Sequence, residues 1–441
     1  MATPRNIYKE DVDFSVLALT DGEFAKRLKT NGQLDFSDPR AVQALTKALL
    51  KRDFNIEIEL PDDRLCPPVP NRFNYTLWIQ DLLDTTSDDY NDRYDPQRDV
   101  IGLDIGTGAS CIYPLLGCSQ RSKWKMIGTD IDDKALEFAK KNISGNNLQQ
   151  RIRLLNSFSE GPLIPLDKIG IDSIDFTMCN PPFYESEDEM LDSAKKKQRP
   201  PLSACTGSPV EMCTPGGEIA FVGRMLQESL VLRNRVQWYT TMLGKHSSVA
   251  TITKRLIDAG CTNWAVTAFV QGNKTRRWAV GWSWEDRRPT PTVARNLGSL
   301  QKNLLPFPSI FTFNIESRAA MSIESLGQHL TSSVGKLDMI WEWRPRIFSG
   351  VAFAKGNVWS RSARRSRKKL EVEDVVPAEA DMDVDEEAKL GVRIQLVNQE
   401  NNAAIEVVVR WLKGEDSVLF ESFCGWLKRD LEATRVKPAP G

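Results

Sequence analysis

Apolar and polar positions follow two rhythms along this chain. Val42, Leu45 and Leu49 recur at helical spacing, with Ala41 and Ala48 beside them, and Asp38-Pro39 supplies an acceptor cap followed by a first-turn proline. These positions predict a small helical module over residues 1–85. From 99 to 288 short apolar runs alternate with helical patterns, as a doubly wound sheet requires. Strands are expected at 100–105, 125–129, 152–155, 174–179 and 236–240, and a closing antiparallel hairpin at 264–270 and 278–284. Helices are expected after Asp132-Asp133, with Ala135, Phe138 and Ala139 on one side, and over 219–232. The stretch 184–217, rich in charge, Pro and Gly, reads as an irregular loop of the length that usually carries function. Beyond 289 the pattern becomes α+β, with strands over 337–343, 392–397 and 404–411 and an amphipathic helix over 420–431. The expected domains are therefore 1–85, 86–288 and 289–441, the last interrupted near 360–390 by a basic and acidic block expected to be disordered.

Two strand ends carry candidate chemistry. The run 100–105 leads into Gly106-Thr107-Gly108-Ala109-Ser110-Cys111. Glycines there allow a sharp turn and close backbone approach to a ligand. A dinucleotide fingerprint needs a third glycine where this chain has Cys111, which weakens a pyrophosphate reading. A Gly-x-Gly loop after the acidic Asp104 suits S-adenosyl-L-methionine, which has no phosphates and carries an ammonium and a sulfonium. The next strand ends in Asp130, 24 positions after Gly106, where a carboxylate can accept from ribose hydroxyls. The run 174–179 ends in Asn180-Pro181-Pro182-Phe183. A carboxamide, carbonyls without competing proline N–H groups and a flat ring can together hold a planar amine such as that of adenine. A plain strand-to-loop turn with a core Phe is the alternative for that tetrapeptide taken alone. Glycine loop, Asp130 and Asn180 corner, in this order and at strand ends, favour an amino methyltransferase.

Charge changes the picture more than composition does. The net charge is −1, yet residues 191–290 hold fifteen Lys and Arg against seven Asp and Glu, while 371–387 hold nine acids and no base. Local clustering is what matters for nucleic acid. Lys195, Lys196, Lys197 and Arg199 in the loop, with Lys274, Arg276 and Arg277 in the hairpin, are candidate phosphate contacts. Arg5, Tyr8 and Lys9 are further candidates. No 18-residue apolar run exists, so no membrane span is expected. The eight cysteines form no Cys-x-x-Cys pair and there are two histidines, so neither a metal site nor an imidazole base is expected.

The strings Asp104-Ile-Gly-Thr-Gly-Ala-Ser-Cys-Ile-Tyr-Pro-Leu-Leu-Gly117 and Cys179-Asn-Pro-Pro-Phe183 closely resemble the methyltransferase-like protein 16 family. So do Asp38-Pro-Arg-Ala-Val-Gln-Ala-Leu-Thr46, Trp238-Tyr-Thr-Thr-Met-Leu-Gly-Lys245 and Gln271-Gly-Asn-Lys-Thr-Arg-Arg-Trp278. The resemblance covers about residues 5–285. It implies a Rossmann-like class I methyltransferase sheet with an N-terminal helical module and a C-terminal α+β RNA-binding domain. It further implies an RNA adenosine N6-methyltransferase using S-adenosyl-L-methionine, U6 small nuclear RNA as the favoured substrate, an unpaired target adenosine and a nuclear location. Cofactor contacts carried over are Arg72, Gly106, Ser110, Asp130 and Asn180; the family commonly has glutamate where this chain has Asp130. A protein glutamine methyltransferase, or an RNA-binding protein with secondary methyltransferase activity, are the competing readings, and a monomer is expected.

Overall fold

Five apolar runs, each too short for a helix of ordinary length, lie side by side as parallel strands: β1 (Val100–Ile105), β2 (Trp124–Asp130), β3 (Ile152–Asn156), β4 (Ile174–Cys179) and β5 (Val236–Leu243). The sheet continues through the hairpin β6 (Asn263–Gln271) and β7 (Thr275–Ser283) and ends on the two-residue β8 (Arg295–Asn296). The order is β3-β2-β1-β4-β5-β7-β6-β8, with β7 antiparallel to β5. The computed structural model describes residues 5–190, 207–271, 275–316, 322–370, 387–399 and 404–433.

Side chains leave a strand on alternate faces, so one sheet serves two cores. Trp238 and Met242 of β5 join the cluster of Phe73, Tyr75, Leu77 and Trp78, whereas Tyr239 and Leu243 join that of Leu103, Ile127, Val222 and Val249. The helix Val69–Thr85 is buried nearly all round, as expected of a helix enclosed by its own domain rather than lying on a surface. Asp38 caps the helix Pro39–Phe54 by accepting from the Arg40 N–H at 2.9 Å, as expected. Asp132 likewise caps Asp133–Gly145, with Ala135 and Ala139 buried and Phe138 half-buried.

The chain forms two compact units. The first comprises Met1–Asp84, Asp92–Glu285 and Thr292–Pro306; the second comprises Thr85–Asn91, Asp286–Pro291 and Phe307–Gly441. Residues Thr292–Pro306, grouped by sequence with the C-terminal region, thus belong to the first unit. They supply β8, and the Val293 carbonyl accepts from the Trp78 indole at 3.0 Å.

In the second unit β9 (Ile310–Glu316), β10 (Ile340–Arg344), β11 (Ser349–Ala354), β12 (Leu390–Asn398) and β13 (Ala404–Lys413) form an antiparallel sheet in the order β10-β11-β12-β13-β9. Val392, Ile394, Val407 and Val409 share its core with Leu326 and Leu330 of the helix Ile323–Val334 and with Phe420, Phe423 and Leu427 of Ser417–Ala433. The expectation of disorder is corrected at its basic end. Residues Arg361–Leu370 are helical, because Ser360 accepts from the Ala363 N–H and the preceding Trp359 is buried against Phe423. The acidic residues 371–386 lie outside the described residues.

Gly102 marks the tightest point of the first core. A Cβ there would lie 2.3 Å from the Phe176 ring and 2.7 Å from the Met126 sulfur. Overpacking of that kind costs ~1–3 kcal/mol. Gly102→Ala is expected to lower the urea midpoint accordingly, and an unchanged midpoint would show that β1 and β4 can part without loss.

Candidate functional site

β1 and β4 are neighbours with parallel tips, Ile105 opposite Cys179, although 74 residues separate them. The glycine loop after β1 and the Asn180 corner after β4 therefore emerge side by side. Gly106 and Gly108 have φ of 74° and 64°, and Cys111 is also left-handed, so the loop folds back sharply before the helix Ile112–Gln120. Two N–H groups of the turn, from Gly106 and Thr107, both donate to the Thr129 carbonyl at 2.9 and 2.8 Å. The Gly108 N–H donates to the Asp130 carboxylate at 2.8 Å, and the other Asp130 oxygen accepts from Asp132 at 3.0 Å. Asp130 thus fixes the loop, and each of its oxygens keeps a second lone pair. Burial raises its pKa while those backbone donors pull it down.

Asp104 is fully buried and neither carboxylate oxygen has a hydrogen-bond partner of good geometry. The Thr107 hydroxyl, 3.5 Å from the Cys111 sulfur, is the nearby side-chain donor that opposes the effect of burial on its pKa. Burial pushes the Asp104 carboxyl up to about 7, and the nearby Asp130 adds to the shift. Glu211 adds a third acid: a Cβ on Gly108 would lie 3.8 Å from its Oε1. Its carboxylate accepts from the Leu65 and Ser208 N–H groups. Three carboxylates around a glycine loop favour a ligand carrying positive charge. Gly106 has open space where a Cβ would be, and Ser110, later in the same loop, is buried.

The corner is held from below. Tyr75, fully buried, accepts from the Cys179 N–H at 3.3 Å and lies 2.7 Å from the Thr240 hydroxyl. Thr240 in turn donates to the Thr177 carbonyl at 2.7 Å, so the Tyr75 hydrogen points to Thr240. The next residue is Asn180, whose carboxamide oxygen is buried without a partner. A buried acceptor without a partner calls for a donor, from water or from a ligand. What sets this one apart from others in the fold is its place at a strand tip beside the glycine loop. Pro181 is buried, and Pro182 and Phe183 are half-buried.

Arg72 lies one helical turn before Tyr75. Its guanidinium donates to the Tyr113 hydroxyl at 2.8 Å and to the Met242 sulfur at 3.4 Å. Arg277 stands over the Phe183 ring with 5.4 Å between the guanidinium carbon and the centroid; burial, then the nearby Arg72, lowers its pKa. Of the candidate phosphate contacts, Arg276 is exposed and Arg277 half-buried, whereas Lys195, Lys196, Lys197, Arg199 and Lys274 lie outside the described residues. Tyr8 is corrected as an RNA contact: it is buried, with its hydroxyl donated to Asp53 at 2.6 Å. Arg5 is engaged by Gln80 and Asp81, and Lys9 is exposed.

Sequence reasoning missed Tyr75, Tyr113, Glu211 and Glu218. Tyr113 sits inside the quoted glycine string, and Glu218 follows Gly216-Gly217 at a helix start, so both had a signal. Tyr75 and Glu211 had none, because each acts across more than 100 residues of chain.

Residues 1–286 match a protein family described as RNA methyltransferase. The U6 small nuclear RNA (adenine-(43)-N(6))-methyltransferase of Schizosaccharomyces pombe is 35% identical over 407 residues, which covers 92% of this chain and 97% of that protein. The RNA N(6)-adenosine-methyltransferase mettl16 of Danio rerio is 32% identical over 484 residues, covering 99% and 98%. Among solved structures, the hMettl16 catalytic domain in complex with MAT2A 3'UTR hairpin 1 superposes with a TM-score of 0.57 at 38% identity, over 64% of this chain and 95% of that one. The N-terminal domain of human METTL16 in complex with SAH gives 0.53 at 37% identity, over 64% and 98%. With the family spanning well over half of the sequence and a relative above 30% identity along nearly all of it, this chain belongs to that family of RNA methyltransferases.

Proposed function

We propose that the chain methylates N6 of an unpaired adenosine in structured RNA, with U6 small nuclear RNA as its first substrate and the nucleus as its place of work. The observation that carries this reading is the orphaned, buried Asn180 oxygen at a strand tip beside the glycine loop. The fit to S-adenosyl-L-methionine rests on the unpartnered Asp104 oxygens, the open flank of Gly106 and the surrounding acids. When bound, the cofactor supplies an electrophilic methyl group. Arg72, Asp104, Gly106, Gly108, Ser110 and Asp130 are the residues proposed to hold it.

The Asn180 oxygen and the Pro181 carbonyl accept the two hydrogens of the amine, turning its nitrogen toward the methyl group. Phe183 stacks on the base. Orientation and a fixed polar environment supply most of the rate in such a displacement. A strong base is unnecessary because the nitrogen loses its proton after it has been methylated. A base inside a helix cannot reach this corner, so the target must be bulged, looped or flipped. Arg276 and Arg277, with the basic loop residues, are proposed to hold flanking phosphates. A glutamine methyltransferase could use a similar corner, but the cation over Phe183 favours a polyanionic substrate. The exposed Arg364 and Arg365 on the helix Arg361–Leu370 are a second proposed RNA contact.

Incubation with methyl-labelled cofactor and U6 RNA should yield N6-methyladenosine on nucleoside analysis, and Asn180→Ala should lower turnover about 100-fold or more while RNA affinity stays within a few fold. Label found only in added protein, or near-normal turnover by the variant, would sink the assignment. The folded chain holds the Asp104 proton more tightly than the unfolded chain, so without cofactor this group favours folding at low pH, a contribution lost as pH rises through about 7. Cofactor binding has the opposite sign, because a cationic ligand prefers the ionised form. Affinity measured by calorimetry should fall about tenfold per unit as pH drops below that value, and Asp104→Asn should flatten the profile. Arg364→Glu with Arg365→Glu should weaken RNA binding and reduce the salt slope by about two, leaving the rate at saturating RNA unchanged.

A further inference from the structure

Glu218 is 2% exposed, yet the reaction just described gives it no task. It stands in the first turn of the helix Gly217–Leu232, but its carboxylate does not cap that helix. It instead accepts from the Gly244 N–H at 2.6 Å and the Lys245 N–H at 3.2 Å. These residues follow β5 at the point where its ladder with β7 ends on Leu243 opposite Trp278. Two backbone donors just past a strand end, with no further ladder register to pair them, are fastened by one buried acid.

That backbone is the wall behind Phe183. A Cβ on Gly244 would lie 2.9 Å from Cδ1 and 3.2 Å from Cγ of the ring. Gly217, at a φ of 61°, approaches the other end of the same residue: its missing Cβ would be 3.4 Å from the Phe183 carbonyl oxygen and 3.3 Å from Cγ of Glu185. Tyr184 is tied to the same returning segment, donating to the Met212 carbonyl and accepting from the Thr214 N–H. Glu189 caps the Glu185 N–H and pairs with Lys245 at 3.0 Å. Phe183 is thus set by Gly244 against its ring and Gly217 against its backbone, and Glu218 lies between them in both sequence and space.

We propose that Glu218 is a positioning residue: by fixing the Gly244–Lys245 backbone it sets the plane of the Phe183 ring on which the target adenine stacks. The inference rests on the base-stacking reading of Phe183. It gives the buried acid a role through the ring and none in contact with the base.

The test uses the full chain with Glu218→Ala, Glu218→Gln, Gly244→Ala, Phe183→Leu and the double variant Glu218→Ala/Phe183→Leu. Single-turnover methylation at saturating U6 RNA and cofactor is measured beside cofactor affinity and thermal melting. Glu218→Ala and Gly244→Ala should slow the rate about tenfold or more with cofactor affinity within twofold, and Glu218→Gln, which keeps one acceptor, should recover part of the loss. On the Phe183→Leu background, Glu218→Ala should add less than a twofold loss, because residues acting through one group are not additive. Full multiplication of the two losses, or a folded Glu218→Ala at the parent rate, would overturn the proposal. Phe183→Leu at the parent rate would instead overturn the stacking reading. If Glu218→Ala does not fold, Glu218→Gln, which keeps the packing, carries the same comparison on the Phe183→Leu background. Gly244→Ala displaces the ring directly, but its Cβ would also lie 3.3 Å from the Glu218 carboxylate.

Discussion

Everything at this site depends on the direction in which the chain leaves β1. It passes first to β2 and β3 on one side, then returns to β4 and β5 on the other, so β1 is the strand at which the winding reverses. Crossovers leaving a strand tip in opposite directions open a crevice there, and ligands of open α/β sheets bind in it. Two loops distant in sequence become neighbours only because of that reversal. The glycine loop must then clear the crevice, which the positive φ of Gly106 and Gly108 permits, and Asp130 holds it by one backbone hydrogen bond. Parallel strands whose side chains are buried on both faces give the tips a rigid base.

The polar groups of the crevice are unequal in their satisfaction, and that inequality divides the labour. Tyr75, Thr240 and Thr177 form a closed chain of donors and acceptors under the corner. Glu218 is likewise satisfied, by backbone. Asp104 and the Asn180 oxygen are left without partners in the same small region. A buried acceptor without a donor costs ~1–3 kcal/mol, so folding alone would not select it. Satisfied groups hold the shape, and on the proposed reading the unsatisfied ones take the ligand.

The parts of the fold legible in sequence were those whose cause is local. Asp38 and Asp132 cap their helices through N–H groups two residues away, and the hairpin of β6 and β7 is a contiguous apolar pair. The strand-end motifs were legible because loop and corner chemistry is carried by adjacent residues. What escaped was set by distance. β8 is two residues long and exists only because β6 offers it an edge, and β11 contains small residues, Ser349, Gly350 and Ala352, with little strand signature of their own. Tyr8 looked like an exposed contact because its aromatic burial against Phe54 and Phe73 depends on residues more than 40 positions away. The basic run 360–369 has the charge of a solvated tail, but Trp359 just before it is anchored in the second core, and that anchor lies in tertiary packing.

On the proposed reading the corner presents two acceptors, the Asn180 oxygen and the Pro181 carbonyl, to an amine with two hydrogens. Methylation removes one of those hydrogens. On the proposed reading the product therefore leaves one acceptor unanswered where the substrate answered both, and it adds a methyl group in a crevice shaped by Phe183 and two prolines. The same geometry that grips adenosine thus loosens its hold once the transfer is complete. Product release and arrest at a single methyl group would then follow from counting hydrogens, without any moving part. Guanosine would be refused on the same count, since its carbonyl oxygen at the equivalent ring position would face two acceptors with nothing to donate.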